Sequence, residues 1–473
     1  MSFEIPSGLM VSVSGVRGRV GEALTPEVVA RFAAAFGAWA GARSPGRPVV
    51  LGRDSRTSGP MFARAAAAGL MSVGTDVVDV GIAPTPTTLY AVRAGAGAVG
   101  DGHEAEAAAG AIVVTASHNP VEWNALKFAS SEGMFLDAEQ APSMRALLDA
   151  IDSSRAGWDG LGVHREGEGA IERHLEAVLA LPFLDVEALR ERRFRVALDC
   201  VRGAGGRILP SLLERLGCEV LGIHLEPDGR FPREPEPVAG NLGELAGHVR
   251  ATGADFGMAT DPDADRLSLV DGEGTPIGED YTLALAAWLV LRHRPGPVVT
   301  NLSTSALLAD VAAEAGATLS RAPVGEIHVA RRMQSEGAVI GGEGNGGVIL
   351  PDVHYTRDAM VAAALTLQAL LEADTPLSEV VAGWPSYAIV KDKVPRGPHA
   401  LEKVYDDLAR TLAAAESDRQ DGLRLAWPGE GSWVHLRPSG TEPILRIIAE
   451  APSERDARGL VASVREALGA TSE

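Results

Sequence analysis

Cysteine is nearly absent from the 473-residue sequence, which holds only Cys200 and Cys218. Both sit in apolar segments, VALDC and LGCEVLGI, so buried reduced thiols are expected and a disulfide framework is excluded. Basic charge is also short. Lys and Arg number 43 against 63 Asp and Glu, a formal net charge of −20. That argues against a nucleic-acid partner, because a phosphate backbone is met by a basic face. No apolar run approaches the roughly 20 residues of a spanning helix, which argues against a membrane protein. The opening MSFEIPSGLMVSVSGVRG lacks the basic start, apolar centre and small-residue cleavage site of a secretory signal, so a cytoplasmic location is expected. An anionic ligand of so acidic a chain has to be met by a local cluster of arginine and metal.

What is present reads as a large α/β protein. Hydrophobic residues make up 46% and charged residues 22%, ordinary globular usage. At roughly 100–150 residues per domain the length predicts about three or four domains. LTPEVVARFAAAFGAWA predicts a helix capped by Thr25 with Pro26 in its first turn. PVVLG, GPMFARAAAAGLMS, TDVVDVG and AIVVTA continue a strand and helix alternation that marks a mostly parallel, helix-covered sheet. The rhythm returns from FRVALDC to ADFGMAT, and again from PVVTN to GAVIGG. After SYAIVKDKV the pattern becomes strands RLAW, SWVHLR and ILRIIAEA with helices near 400–415 and 452–468, a smaller α+β lobe. The expected domains are 1–155, 156–275, 276–380 and 381–473, with a hinge near 373–385. GDGHEAEAAAG, residues 100–110, reads as a mobile surface loop.

Four segments carry candidate chemistry. AIVVTA delivers Ser117-His118-Asn119-Pro120 to the carboxyl end of a buried strand, where α/β sheets place ligands. A serine hydroxyl needs a base or metal to act as a nucleophile, and S-H-N-P alone suits a turn cap equally well. Asp261-Pro262-Asp263-Ala264-Asp265-Arg266 follows strand ADFGMAT. Alternate carboxylates on one side of an extended segment suit Mg²⁺, whereas an EF-hand is excluded because its glycine position is Arg266. Arg437-Pro438-Ser439-Gly440-Thr441-Glu442-Pro443 supplies a guanidinium, two hydroxyls and a glycine backbone N–H for a phosphate. Gly342-Glu343-Gly344-Asn345-Gly346-Gly347 matches a dinucleotide fingerprint, yet VILP follows where a helix should start. Glu343 and Asn345 instead suit sugar hydroxyls. Arg17, Arg53 and Arg56 lie at predicted strand ends.

TASHNP, DPDADR, GGEGNGG and RPSGTEP, in that order and spacing, resemble the α-D-phosphohexomutases over essentially the whole chain. The resemblance implies three similar α/β domains with mixed, mostly parallel sheets and a smaller C-terminal α+β domain, arranged around a central cleft. It implies interconversion of hexose 1-phosphate and hexose 6-phosphate, with hexose bisphosphate as intermediate and activator. Ser117 would be phosphorylated and would bind one Mg²⁺ per chain with Asp261, Asp263 and Asp265. Arg17, Arg53, Arg56 and Arg266 would line the transfer site. Lys127 and His118 would be candidate acids or bases. Glu343, with Asn345, would hold the sugar, and Arg437, Ser439, Gly440 and Thr441 the phosphate that does not react. The chain departs from the family pattern at Asn345, at Ala125 and at Gly347, where a histidine is often found. His354 or Lys127 is the expected substitute for that histidine. These variants resemble a branch assigned as phosphoglucosamine mutase or archaeal-type phosphomannomutase. A metal-dependent phosphatase and a sugar-phosphate sensor are the competing readings, and the chain is expected to be a monomer or homodimer.

Overall fold

The computed structural model describes residues 3–95, 107–397, 400–439 and 444–469. Of the segment expected to form a mobile loop, residues 100–106 lie outside these. Four sheets succeed one another along the chain, of seven, four, four and five strands. Among the described residues no helix is long and apolar enough to cross a membrane.

The first sheet is built on the parallel strands Val49–Arg53, Val77–Ile82 and Gly110–Val114, with Trp123–Ser130 and Gly15–Arg19 added antiparallel on one side. Helix Pro26–Arg43 starts as its sequence predicts, with Pro26 in its first turn and Thr25 accepting from Val28 N. Its alanine-rich face packs against helix Gly59–Met71. There a side chain on Gly69 would stand 2.2 Å from the Ala30 carbonyl oxygen, so only glycine permits the approach. A last parallel strand, His164–Glu166, joins Val77–Ile82. The sheet of the first unit therefore takes in a strand beyond residue 155; HRE is a polar edge strand with none of the apolar alternation that would have marked it.

The second sheet orders Leu267–Val270, Phe256–Thr260, Arg195–Asp199 and Glu219–Ile223, and the third orders Leu319–Ala322, Val298–Asn301, Ile340–Glu343 and Gly347–Ile349. Each is parallel except for one antiparallel return strand. The fourth sheet is antiparallel throughout. Its helices Leu401–Leu412 and Glu454–Ala467 fall where they were expected. The predicted hinge contains a short helix, Leu377–Ala382.

One topological rule places three of the four motifs. In each of the first three units the functional loop joins the strand at one edge of the parallel set to its antiparallel neighbour: Gly110–Val114 to Trp123–Ser130, Phe256–Thr260 to Leu267–Val270, and Ile340–Glu343 to Gly347–Ile349. The second and third units share one continuous apolar core, which fixes their loops relative to each other. Cys200 and Cys218 are free and buried within that core, and burial pushes the Cys218 thiol up to about 12.

Candidate active site

The three loops meet. Ser117 is 3% exposed and donates from Oγ to Asp261 Oδ2 at 2.8 Å, across 144 residues of sequence. Its φ of +49° is a left-handed conformation that a non-glycine residue adopts at a cost of about 1–3 kcal/mol. Arg56 shows what holds it there. Its guanidinium is wholly buried, pairs with Asp54 at 3.0 Å, and donates to the carbonyls of Ser117, Asn119 and Pro120 at 2.6 Å each and of Trp123 at 3.0 Å. Arg56 thus folds the serine loop from behind and does not line the transfer site, contrary to expectation. Arg53 is also elsewhere. It lines a separate cavity with Arg64, Asp79 and Glu166.

Asp261, Asp263 and Asp265 are fully buried, with one ligand atom of each within 4.8 Å of the others. They converge through a turn, with Ala264 at φ +51° and Asp261 Oδ1 accepting from the N–H of Asp265 and Arg266, and not along the extended segment that was predicted. Burial, then the neighbouring Asp265 and Asp263, hold the Asp261 carboxyl well above the usual range. Asp263 is buried too, yet Lys127 Nζ at 2.8 Å and Thr85 Oγ1 at 2.7 Å hold it well below. Oδ1 atoms of both Asp263 and Asp265 are buried without a hydrogen-bond partner. Such oxygens are costly to bury, and hard carboxylate donors facing a serine hydroxyl fit a small divalent cation such as Mg²⁺.

The loops open into a cleft of about 860 Å³. Arg17, Ser117, His118, Lys127 and Arg266 line it from the first two units, and Glu343 and Asn345 from the third. Arg437, Arg446 and Lys391 line it from the fourth. With Arg145 and Arg357, a chain of net charge −20 gathers eight lysine and arginine side chains around one cavity, as an anionic ligand requires. Burial, followed by Arg266 and Arg17, keeps the His118 imidazole neutral well below its usual range; its Nδ1 is 3.4 Å from Ser117 Oγ. Ser439 follows strand Ser432–Pro438 at the start of the fourth loop, its N–H donating to the Ile444 carbonyl. Gly440 and Thr441 lie outside the described residues.

Sequence reasoning missed Arg357. Its guanidinium donates to Asp265 Oδ2 at 2.5 Å, to Glu343 Oε2 at 2.6 Å and to Glu326 Oε2 at 3.2 Å. An arginine in the loop TRDAM has no spacing that betrays such a role. Arg446 and Lys391 were missed for the same reason, as was His328, a cleft histidine on the first turn of helix Glu326–Glu336. His354, the expected stand-in for the missing family histidine, is 4% exposed and bound through Nε2 to Asp358 at 2.8 Å, outside the cleft lining. Burial lowers its basicity. Glu343 is at the cleft, but Asn301 Nδ2, Gly325 N, Arg357 and, at a longer 3.4 Å, Asn345 already fill its acceptor positions.

Comparison with known proteins agrees with this architecture. Models of the phosphoglucomutase/phosphomannomutase alpha/beta/alpha domains I, II and III match residues 9–155, 172–274 and 278–387, and the C-terminal domain model matches 388–467. A Methanopyrus kandleri protein named "Probable phosphoglucosamine mutase" is 39% identical over 96% of each chain. The Thermococcus kodakarensis "Phosphoglucomutase/phosphomannomutase" is 40% identical over 95% of this chain and 96% of its own. A crystal structure of a Burkholderia thailandensis phosphoglucomutase/phosphomannomutase family protein superposes with a TM-score of 0.84 at 28% identity, covering 97% of this chain and 96% of that one. The chain belongs to the phosphoglucomutase/phosphomannomutase family, a family of isomerases that move a phosphoryl group within a sugar phosphate.

Proposed function

We propose that the chain interconverts hexose 1-phosphates and hexose 6-phosphates through a phosphorylated Ser117, with glucosamine phosphate as the preferred hexose and mannose or glucose phosphate as the alternative. The observation that carries this reading is the 2.8 Å contact between Ser117 Oγ and a buried aspartate triad. A bound Mg²⁺ would be held by Asp261, Asp263, Asp265 and a Ser117 phosphate oxygen, and would supply charge stabilisation for the transferring phosphoryl group.

This chain's own groups do the rest. In the first half-reaction the Ser117 O–P bond breaks and a P–O bond forms to a sugar hydroxyl, giving a hexose bisphosphate and a free serine. The hydroxyl proton passes to a base nearby, for which His118, held neutral, is the cleft candidate, while Lys127, ion-paired with Asp263, is the candidate acid that returns a proton to the departing Ser117 oxygen. Arg17 and Arg266 offset charge on the transferring oxygens. Arg437, with Ser439 and the backbone that follows, holds the phosphate at the far end, supported by Arg446 and Lys391. The bisphosphate then turns end for end, its other phosphate returns to Ser117, and the isomer leaves.

Replacing Ser117 with alanine is expected to abolish turnover and leave the melting temperature within a few degrees of the parent. Intact-mass spectrometry of the parent should show one phosphate on Ser117 that hexose phosphate removes. Full turnover in the alanine variant sinks the proposal. Release of free phosphate at the rate of substrate loss favours a phosphatase. Turnover of the glucosamine, mannose and glucose 1-phosphates, with trace bisphosphate supplied, ranks the three hexoses.

A further inference from the structure

Asp421 belongs to the tight turn between strands Glu416–Asp418 and Leu423–Trp427 of the fourth sheet. Leu423 pairs with Leu436 of strand Ser432–Pro438, so the turn sits beside Arg437 near that strand's end. The approach depends on Gly422, at φ +83°, where a side chain would stand 2.3 Å from the Leu436 carbonyl oxygen. One oxygen of the Asp421 carboxylate then serves two units. Its Oδ2 accepts from Arg437 Nε at 2.7 Å and from the backbone N–H of Val324, in the third unit, at 3.1 Å. Bonding through Nε leaves the two terminal nitrogens of Arg437 to face a phosphate together, the bidentate geometry that holds it best.

From Asp421 two hydrogen-bonded routes run to Glu343 Oε1, in the sugar loop 342–347. The first is short: Val324 donates to Asp421, and the next residue, Gly325, donates through its N–H to Glu343 Oε1 at 3.1 Å. The second starts at the Asp421 carbonyl, which accepts from His435 Nε2 at 2.6 Å. Burial holds the His435 imidazole down to about 4, so it stays neutral and its Nδ1 accepts from the Ser303 hydroxyl at 2.9 Å. Ser303 N donates to Asn301 Oδ1 at 2.8 Å, and Asn301 Nδ2 donates to Glu343 Oε1 at 2.8 Å. Ser303, Val324, Gly325 and Glu343 all line the cleft with Arg437, whereas Asp421 stands behind its wall.

We propose that Asp421 is a positioning residue of the mutase reaction: it fixes Arg437 against the sugar loop, so that one hexose phosphate is gripped by its far phosphate and its ring at a set separation. The inference rests on the reading of Arg437 as the ligand of the phosphate that does not react. An arginine partner that served the fourth unit alone would need no bond into the third. Separation matters because the hexose is presented in two orientations, each with its ring between Arg437 and Ser117. A misplacement of about 1 Å can cost roughly 100-fold in rate.

Calorimetric titration of the full chain with glucosamine 6-phosphate tests this. Asp421→Ala should weaken binding by roughly tenfold or more, about 1.4 kcal/mol. Asp421→Asn keeps an oxygen where Oδ2 stands and should recover most of the loss. Asn345→Ala, in the sugar loop, supplies the second arm of a double-mutant cycle. Residues that act separately multiply their losses, whereas the doubly substituted chain should bind roughly threefold or more tighter than that product. Should Asp421→Ala lose its cooperative melting, Ser303→Ala, which cuts the His435 route alone, replaces it in the cycle. Parent-like binding by Asp421→Ala, or losses that multiply, overturns the proposal. The titration needs no turnover. A parent that binds the sugar phosphate without isomerising it therefore defeats the proposed reaction and not the coupling, and a parent that does not bind it defeats both.

Discussion

Arg357 Nη2 lies 2.5 Å from Asp265 Oδ2, so an arginine of the third unit grips the last carboxylate of the second unit's acidic turn. Through Nη1 the same guanidinium holds Glu343 in the sugar loop. Two further contacts lock the same pair of loops. Leu267 N donates to Gly346 O at 2.9 Å, and a side chain on Gly346, at φ +84°, would come within 2.3 Å of the Leu267 carbonyl oxygen. The acidic turn and the sugar loop therefore cannot move independently.

Arg357→Lys should uncouple them. Lysine keeps the charge but lacks the planar fork that serves three carboxylates at once. Breaking a buried charge network of this kind costs about 3–5 kcal/mol, read from urea unfolding. Calorimetric titration should also show weaker Mg²⁺ binding, because Asp265 loses the group that orients it. Unchanged stability together with unchanged Mg²⁺ affinity would contradict this account of Arg357.

Arg56→Lys addresses a different link, the backbone of the serine loop. An ammonium has three donors, and Arg56 satisfies Asp54 and four carbonyls. The variant should leave buried carbonyls unpaired at about 1–3 kcal/mol each and release Ser117 from its left-handed conformation. Because Arg56 touches no substrate, kcat should fall while KM holds. A rise in KM alone, with kcat intact, would return Arg56 to the cleft wall.

The four loops were legible in the sequence because each joins a recognisable strand to a rare cluster of one chemistry: a serine before proline, three alternating aspartates, a run of glycines. Their convergence was not legible. It depends on three units repeating one strand reversal, and on Lys127 reaching Asp263 across 136 residues. Arginine was the least readable residue type. Arg17 lines the cleft from the middle of strand Gly15–Arg19, Arg56 acts from inside the fold, Arg53 lines another cavity, and Arg357 went unnoticed, the last three sitting in loops or at a strand end. Nothing in local spacing separates an arginine that faces solvent from one drawn inward by carboxylates supplied by distant segments. The polar strand His164–Glu166 escaped for a related reason, since an edge strand with no buried face leaves no period-2 signature.

Asp280 gives stability a pH dependence opposite to the one most carboxylates impose. It lines the cleft at the start of helix Asp280–His293 and accepts from Ser305 N at 2.9 Å. Burial, with Glu450 adding to it, raises its carboxyl from 3.8 to about 7. At pH values below 3.8 the group is protonated in both folded and unfolded chains and contributes no slope. Between 3.8 and about 7 the unfolded chain ionises while the folded one keeps its proton, so this contribution to stability declines as pH rises and levels off above about 7. Asp280→Asn retains an acceptor for Ser305 and removes the titration. Urea midpoints measured across this range should show the asparagine variant gaining on the parent with each step upward in pH. A difference between the two that stays constant from acid to neutral pH would mean that Asp280 titrates as an ordinary surface carboxylate.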